Sequence, residues 1–255
     1  MNDDLRTPFV QRGPVRRVVS LVPSLTETIA YAAPEVLVGG TAYCTHPASL
    51  DVTRVGGTKW PDLDAVVGLR PDVVVANAEE NRAEDIAALR AAGLAVYVTA
   101  PATLDEAFTS LERMLAALQL PAAPWIGAAR EEWSTPDPQL AGQRVAVFIW
   151  RRPWMVVGRD TFSGDILRRL GLVNVYADNT DRYPKLTPEE AGSLDVDLVV
   201  LPDEPYEFNA TDGPEMFGAT PCALVSGRHL TWYGPSLVEA KAVLSAALRS
   251  PIMSI

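Results

Sequence analysis

The fold is decided by PDLDAVVGLRPDVVVAN, residues 61–77, and by a second stretch of the same kind, TPEEAGSLDVDLVVL, residues 187–201. Each stretch places an acidic residue, Asp64 or Glu189, eight residues before the aspartate that opens a strongly apolar run. The acidic residue begins a short helical segment, and the apolar run predicts a buried strand. The same helix–strand pattern therefore occurs twice in the chain.

The two copies lie at similar distances from the strands that open each half of the chain. Arg17 starts the first predicted strand and lies 47 residues before Asp64, and Arg144 starts a later one and lies 45 residues before Glu189. Two similar lobes explain this spacing. Chance similarity between two common βα units is the alternative.

Short β-branched runs alternate with helical patterns through most of the chain, which is typical of parallel strands joined by helices. From Leu104 to Leu118, apolar residues three and four apart predict the longest helix, which Pro121 and Pro124 can interrupt. We therefore predict an α/β protein of two lobes, each a small parallel sheet flanked by helices. The predicted N-terminal lobe is 1–102, the linking helix lies in 103–135, and the C-terminal lobe is 136–255.

The composition excludes several classes of protein. The 255 residues include 22 Lys and Arg against 32 Asp and Glu, a formal charge of −10, so we expect no nucleic-acid partner. No stretch approaches the roughly 20 apolar residues of a membrane helix, so we expect no membrane insertion. Cys44 and Cys222 lie 178 residues apart and outside any CxxC spacing, so we expect two free thiols.

The first residues bear on the compartment. The chain opens MNDD, and its first apolar run, 18–22, is five residues long. Because this pattern is not that of a signal peptide, the chain as written is expected to be cytoplasmic. An extracytoplasmic protein is expected instead if an export signal is missing from this chain. We expect a monomer in either case.

Aromatic residues concentrate where a ligand site is expected. In parallel α/β sheets, the loops after the carboxyl ends of the strands form the binding crevice. Each aromatic side chain alone could serve to pack a lobe, but so many in such loops indicate a large, flat, partly apolar ligand. The loop aromatics are Tyr43, Trp60, Trp150, Trp154, Tyr183, Tyr206, Phe208, Trp232 and Tyr233.

The acidic pair Glu79 and Glu80 directly follows an apolar strand and offers an alternative function. With His46, these carboxylates could supply acid–base groups to a cytosolic enzyme. In the simpler interpretation Asn81 caps the next helix, and the two acids complement its dipole. Because the sequence contains no nucleophile motif or cofactor fingerprint, we predict no catalytic residue and no catalytic cofactor.

Histidines and arginines limit the chemistry further. His46 and His229 are the only histidines, so no His-rich metal site can form, although one could be an axial ligand to a metal held in a macrocycle. Arg151 and Arg152 follow a strand, where they could face carboxylate, amide or phosphate groups of a ligand. A solvated surface role is the alternative. We predict no metal bound by protein ligands alone.

Four segments together resemble one family, the cobalamin-binding and related class III substrate-binding proteins of ABC importers, also called helical-backbone metal receptors. The resemblance covers nearly the whole chain. The segments are 19–27 (VSLVPSLTE), 56–64 (GGTKWPDLD), 69–82 (LRPDVVVANAEENR) and 230–235 (LTWYGP). The resemblance implies two lobes joined by a single long rigid helix, with cobalamin, haem or a ferric siderophore held between the lobes.

The resemblance also assigns roles to residues of this sequence. By similarity the ligand-binding residues are Tyr43, His46, Thr58, Lys59, Trp60, Trp150, Arg151, Trp154, Tyr183 and Trp232. In cobalamin-binding members an acidic residue on each lobe meets arginines of the permease, and Asp64 and Glu189 occupy those places here. The family implies a non-catalytic protein that binds a corrinoid, as part of an ABC importer or as a cytosolic relative. Haem or a ferric siderophore is the alternative ligand.

Overall fold

The structure is a computed structural model that describes residues 1–11 and 13–253. These residues form two compact units. Unit 1 comprises residues 1–101, 105–126 and 233–235, and unit 2 comprises 102–104, 127–232 and 236–255 as far as they are described. Within the described ranges, no helix combines the length and the apolar character needed to cross a bilayer.

Unit 1 is built on a five-stranded sheet in which every strand pair is parallel. The strand order is β3-β2-β1-β4-β5. Because all the strands run in one direction, the loops that follow them collect at one edge of the sheet. The strands are β1 (Val18–Ser20), β2 (Leu37–Gly40), β3 (Thr53–Arg54), β4 (Val73–Asn77) and β5 (Val96–Thr99).

The helices of unit 1 differ in how their N-termini are capped. Helix α1 (Pro23–Ala32) begins at a proline, and no side chain caps its N-terminus. The segment from Ser24 to Glu27 therefore forms part of the helix and does not precede it. Helix α2 (Leu63–Gly68) is capped by Asp62, whose carboxylate accepts from the Ala65 N–H at 2.9 Å. Helix α3 (Ala83–Ala91) has its N-cap at Arg82 and no side-chain cap. The core between sheet and helices consists of β-branched and leucine side chains.

The region 103–135, predicted as one linking helix, contains two helices. Helix α4 (Leu104–Ala117) and helix α5 (Trp125–Glu132) are separated by a segment with Gln119 at φ 56° and with Pro121 and Pro124. The prolines remove two backbone donors there, so the helical hydrogen bonds cannot continue. The division of the chain into an N-terminal lobe (1–102), a linking region (103–135) and a C-terminal lobe (136–255) stays a prediction.

Unit 2 is built on a second sheet of order β11-β10-β6-β7-β9, with β8 paired to β6. Its β6, β8, β10 and β11 pair in parallel, but β7 runs antiparallel to both β6 and β9. The sheet is therefore mixed rather than wholly parallel as predicted. The strands are β6 (Arg144–Arg151), β7 (Trp154–Val156), β8 (Val173–Asn174), β9 (Lys185–Leu186), β10 (Leu198–Pro202) and β11 (Cys222–Val225).

Besides most of α5, unit 2 contains the helices α6 (Phe162–Leu170), α7 (Pro188–Gly192), α8 (Gly227–Thr231) and α9 (Leu237–Leu248). Helix α6 has the Thr161 hydroxyl at its N-terminus and a left-handed Gly171 after its last turn. Helix α7 has a full capping box, in which Thr187 and Glu190 bond reciprocally. The core of this unit is aromatic as well as aliphatic, and includes Phe148 and Phe217.

Candidate functional site

Two aromatic side chains of unit 1 stand exposed in loops that follow neighbouring strands. Tyr43 lies after β2 and is 64% exposed, and Trp60 lies after β3 and is 72% exposed. A Cβ added at Gly57 would be 3.6 Å from the Tyr43 ring, so the loop backbone before Trp60 runs directly beside that ring. Largely exposed aromatic rings at a sheet edge gain stability when a ligand covers them.

The loop that carries Trp60 is tied to the loop after β4. Asn81 donates from its amide to the Thr58 carbonyl at 2.9 Å and to the Leu21 carbonyl at 3.3 Å. Lys59 donates to the Glu79 carbonyl at 2.5 Å. The structure therefore ties the 58–60 segment to the loop after β4, and it gives Asn81 this bridging role instead of the predicted helix cap. That Thr58, Lys59 and Trp60 bind a ligand stays a prediction.

Arg82 covers the Trp60 ring. Its guanidinium carbon lies 3.9 Å from the ring centroid, within cation–π range. The same guanidinium forms two hydrogen bonds of 3.0 Å to Asp85 and an ion pair of 3.2 Å to Glu84. The positive charge beside Trp60 is thus compensated by two carboxylates of helix α3.

Unit 2 gathers four aromatic residues into one group, the aromatic cluster, defined by Trp150, Trp154, Tyr206 and Phe208. Trp150 and Trp154 belong to the adjacent ends of β6 and β7 and not to a loop as predicted. Trp150 meets Tyr206 edge to face at 5.7 Å, and Tyr206 lies 4.7 Å from Phe208. The Phe208 ring stacks parallel to Trp154 at 6.2 Å. Edge-to-face and offset contacts of this kind fix the orientation of each ring. The cluster therefore presents a fixed aromatic surface.

The two tryptophans of this cluster differ in exposure. Trp150 is 40% exposed, and its indole N–H donates to the Arg152 carbonyl at 3.1 Å. Trp154 is 6% exposed and also packs against Phe148 and Phe217 of the core. Trp150 therefore offers surface to a ligand, whereas Trp154 mainly supports the cluster from beneath.

Arg151 lies beside the aromatic cluster and is held by two carboxylates. Its guanidinium pairs with Asp212 and with Glu215, the latter at 2.5 Å, and its carbon lies 5.3 Å from the Trp154 ring centroid. Burial raises the pKa of Glu215, but its backbone hydrogen bonds and Arg151 outweigh this and hold that pKa below its usual value. Glu215 is accordingly ionised at neutral pH.

A cavity of about 400 Å³ opens next to Arg151 within unit 2. Its size falls at the lower end of the range for small-molecule sites in proteins. Apolar side chains from β7, β9, α7 and the loop before β11 form most of its wall. The lining residues are Arg151, Arg152, Pro153, Trp154, Leu186, Pro188 and Met216.

Tyr183 and Trp232 lie elsewhere in unit 2. Tyr183 is half-buried in a loop that packs closely on Gly158, whose N–H donates to the Arg182 carbonyl at 2.8 Å. Trp232 is buried at the end of helix α8, with Arg228 at 5.8 Å from its ring centroid. Burial, and then the neighbouring Asp203, raise the pKa of Glu204, although a hydrogen bond from Trp232 opposes this shift.

The three candidate acid–base residues, Glu79, Glu80 and His46, take part in local hydrogen bonds through their backbone or ring nitrogens. The N–H groups of Glu79 and Glu80 both donate to the Asn77 side chain, at 2.8 and 3.0 Å, which fixes the turn after β4. The Nδ1 atom of His46 lies 3.1 Å from the Thr45 hydroxyl. In the part of the chain that the structure describes, no three His, Cys, Asp or Glu side chains are grouped to hold a metal ion.

Asp64 and Glu189, the predicted docking residues, occupy matching places in the two units. Each is exposed in the first turn of a short helix, α2 or α7. A carboxylate in that position interacts favourably with the helix dipole, so helix stability alone can explain why an acidic residue occurs there. Their exposure also leaves both side chains accessible to another protein.

Proteins of known name resemble this chain. The vitamin B12-binding protein of Vibrio cholerae is 27% identical over 197 residues, which cover 73% of this chain and 68% of that protein. The vitamin B12-binding protein of Salmonella typhimurium is 26% identical over 180 residues, 68% of this chain and 67% of that protein. No protein-family model matches the chain.

Solved structures agree with these relatives. The periplasmic vitamin B12-binding protein of Vibrio cholerae superposes with a TM-score of 0.71 at 20% identity, covering 92% of this chain and 97% of that one. The resemblance to class III substrate-binding proteins is confirmed. A periplasmic haem-binding protein from Roseiflexus sp. RS-1 shares the fold of these class III proteins, with a TM-score of 0.76 at 21% identity over 92% of this chain and 98% of that one. These relatives are named as binding proteins for B12 or haem.

Sequence reasoning missed several residues of the candidate site. Tyr206 and Phe208 were noted as loop aromatics but not assigned to the site, although they join Trp150 and Trp154 directly. Asp212 and Glu215 were not considered at all. Asp212 lies in a tight turn and Glu215 in the short 3₁₀ helix Pro214–Met216, so no periodic pattern signals that their carboxylates meet Arg151, more than sixty residues earlier.

Proposed function

We propose that this chain is a non-catalytic binding protein for a cobalamin-like corrinoid. The observation that carries the proposal is the pair of aromatic surfaces, one on each unit, in a chain whose sequence relatives are named vitamin B12-binding proteins. Each unit by itself carries exposed rings that can pack on an apolar macrocycle, Trp60 and Tyr43 in unit 1 and Trp150 in unit 2. Thr58, Lys59 and Tyr183 are the proposed polar contacts, Trp154 and Trp232 support the aromatic surfaces, and Arg151 lies beside the ligand with its own acidic partners.

Haem is the second candidate ligand, because solved proteins with this fold are named as haem-binding. The corrinoid is preferred because the relatives found by sequence are named vitamin B12-binding proteins, whereas the solved structures, B12-binding and haem-binding alike, are less than 25% identical and support the fold alone. A ferric siderophore is the third ligand of the same class. All three are flat or compact metal chelates that bury apolar surface on binding.

Titration of the purified protein tests the proposal. Isothermal calorimetry with cyanocobalamin, with haemin and with a ferric siderophore compares the three ligands under the same conditions. We expect saturable binding of cyanocobalamin with a dissociation constant below about 1 μM, equivalent to about −8 kcal/mol. Binding of haemin alone contradicts the corrinoid assignment, and binding of none of the three contradicts the proposal as a whole.

We further propose that Asp64 and Glu189 dock an ABC permease. Both carboxylates are exposed and lie at equivalent places in the two units, which suits a partner that contacts both. Such a role requires a location outside the membrane, as in the Vibrio cholerae relative described as periplasmic. A cytosolic relative that stores or delivers a corrinoid is the alternative, and fractionation of cells expressing the native gene distinguishes the two compartments.

Docking is tested separately from ligand binding. Asp64→Ala and Glu189→Ala are expected to reduce stimulation of the permease ATPase while leaving the affinity for cyanocobalamin unchanged. Glu35→Ala, which removes an exposed carboxylate from another surface of unit 1, is the control for net charge. Equal stimulation by all three variants and the unaltered protein contradicts the docking role.

A further inference from the structure

The positive charge of Arg151 is already compensated within the protein. Its two terminal nitrogens pair with different carboxylates, those of Asp212 and Glu215, and its planar group lies over Trp154. A guanidinium binds a ligand carboxylate best through two parallel hydrogen bonds. Here each terminal nitrogen of Arg151 already holds a carboxylate of the protein itself, so a ligand carboxylate has to compete with these two groups.

The two carboxylates are themselves held in position. The Tyr206 hydroxyl donates to the second oxygen of Asp212 at 2.8 Å, and the Gly213 N–H donates to the second oxygen of Glu215 at 2.6 Å. Tyr206 in turn contacts Trp150. The acidic groups are therefore built into the aromatic cluster, and they do not need to move when a ligand covers it.

We infer that Asp212 and Glu215 are specificity-determining residues that make this site select an uncharged, amide-bearing macrocycle over one bearing carboxylates. The inference rests on the proposed function, since it names the charge class of the ligand that the aromatic cluster takes. Neither residue is assigned a role by the resemblance to known binding proteins.

The physical reason is a difference in what each ligand meets. A ligand carboxylate has to displace a protein carboxylate from Arg151, or else lie unpaired beside two negative charges. A primary amide can donate its N–H groups to the same carboxylates, which retain acceptor capacity. Arg151 and Arg152 carry two positive charges, and Asp212 and Glu215 carry two negative charges. These four side chains therefore sum to no net charge.

The same arrangement occurs in unit 1. Arg82 lies over Trp60 and is paired with Asp85 and Glu84, as Arg151 lies over Trp154 and is paired with two acids. Both units therefore place a tryptophan-stacked arginine in a candidate loop and neutralise it with two carboxylates. Neither arginine is left as a bidentate site for a carboxylate ligand.

Two corrinoids that share a ring but differ in charge test the inference. Dicyanocobinamide carries amides on its side chains, whereas dicyanocobyrinic acid carries carboxylates in their place. We expect the unaltered protein to bind the amide form at least about tenfold more tightly, at about 0.15 M salt and near neutral pH. The doubly substituted protein, Asp212→Asn with Glu215→Gln, frees Arg151, and this selectivity ratio is expected to fall by about tenfold.

Single substitutions and a matched control complete the experiment. Asp212→Asn and Glu215→Gln alone each leave one carboxylate on Arg151, and we expect intermediate ratios, so the test stands even if the double variant is poorly folded. Asp195→Asn removes one charge from an exposed pair with Arg144, 3.3 Å long, and is expected to leave the ratio unchanged. Thermal unfolding of each variant verifies its fold.

The outcomes separate this inference from the proposed function. If the unaltered protein binds dicyanocobinamide but the ratio is the same in all variants, the inference is wrong and the proposed function stands. An equal fall in the ratio for Asp195→Asn also overturns it, because net charge is then the cause. If the unaltered protein binds neither corrinoid, the proposed function fails and the inference fails with it.

Discussion

Replacing Trp150 by alanine tests the ligand-facing surface of unit 2 most directly. The side chain is 40% exposed, with one edge on Tyr206, so its removal takes away ligand surface while the core beneath it stays filled. A tryptophan side chain presents about 250 Å², of which about 100 Å² is exposed here. At about 25 cal/mol per Å², full coverage by a ligand contributes about 2.5 kcal/mol. This corresponds to about a 60-fold increase in the dissociation constant on substitution.

Calorimetric titration with cyanocobalamin measures this change. Tyr31→Ala is the matched control, because Tyr31 is an exposed aromatic residue in the last turn of helix α1, away from the loops that follow the strands. We expect Tyr31→Ala to bind with unaltered affinity. Circular dichroism and thermal unfolding establish that both variants are folded, since the partly buried indole of Trp150 also contributes to stability.

An unaltered affinity in a folded Trp150→Ala protein refutes the reasoning. The exposed indole then makes no contact with the ligand, and the aromatic cluster is a packing feature of unit 2. An equal loss of affinity in Tyr31→Ala also counts against it, because the effect is then not specific to the loop. A loss of only twofold or threefold indicates that the ligand covers the edge of the ring and not its face.

Three further predictions concern stability. Trp154→Ala removes a buried ring of the unit 2 core and is expected to lower the free energy of unfolding by about 3–5 kcal/mol, measured by urea denaturation. Burial, and then the charge of Asp203, raise the pKa of Glu204 in the folded protein. Its ionised form therefore lowers the free energy of unfolding at neutral pH, and this loss disappears as the carboxylate is protonated and the pH falls to about 4.3, the ordinary pKa of glutamate. Glu204→Gln is accordingly expected to raise the melting temperature near pH 7, with a gain that shrinks on acidification; a constant gain contradicts this. Gly158→Ala places a Cβ 2.3 Å from the Asp181 carbonyl oxygen, and a loss of about 1–3 kcal/mol is expected in the same denaturation assay.

Much of the fold follows from local patterns in the sequence. The runs that became β4 and β10 are apolar apart from Asn77 at the end of β4, as is typical of strands buried on both faces of a sheet, and both are wholly buried in the structure. Asp64 and Glu189 begin short helices, as their spacing predicts. The loops after the strands of a parallel sheet share one edge, so Tyr43 and the 58–60 segment could be assigned to one surface of unit 1 before any coordinates were known.

Other features depended on contacts between distant residues. The sequence does not distinguish Trp150 from Trp154, which lie four residues apart, because their exposure depends on an irregular register between β6 and β7 near Trp150. Asn81 resembles a helix cap by its neighbours, but its amide bonds to carbonyls of two other loops.

The sequence by itself determined the α/β class, the twofold repeat and the strand-end loops, since each depends on the period and order of neighbouring residues. Only the tertiary structure decided that the second sheet is mixed and that Arg151 is neutralised. The break of 103–135 into two helices follows Pro121 and Pro124, which the sequence shows. A side chain's partner is set by the path of the whole chain, and the Arg151 pairs join residues more than sixty positions apart. No local pattern carries that information.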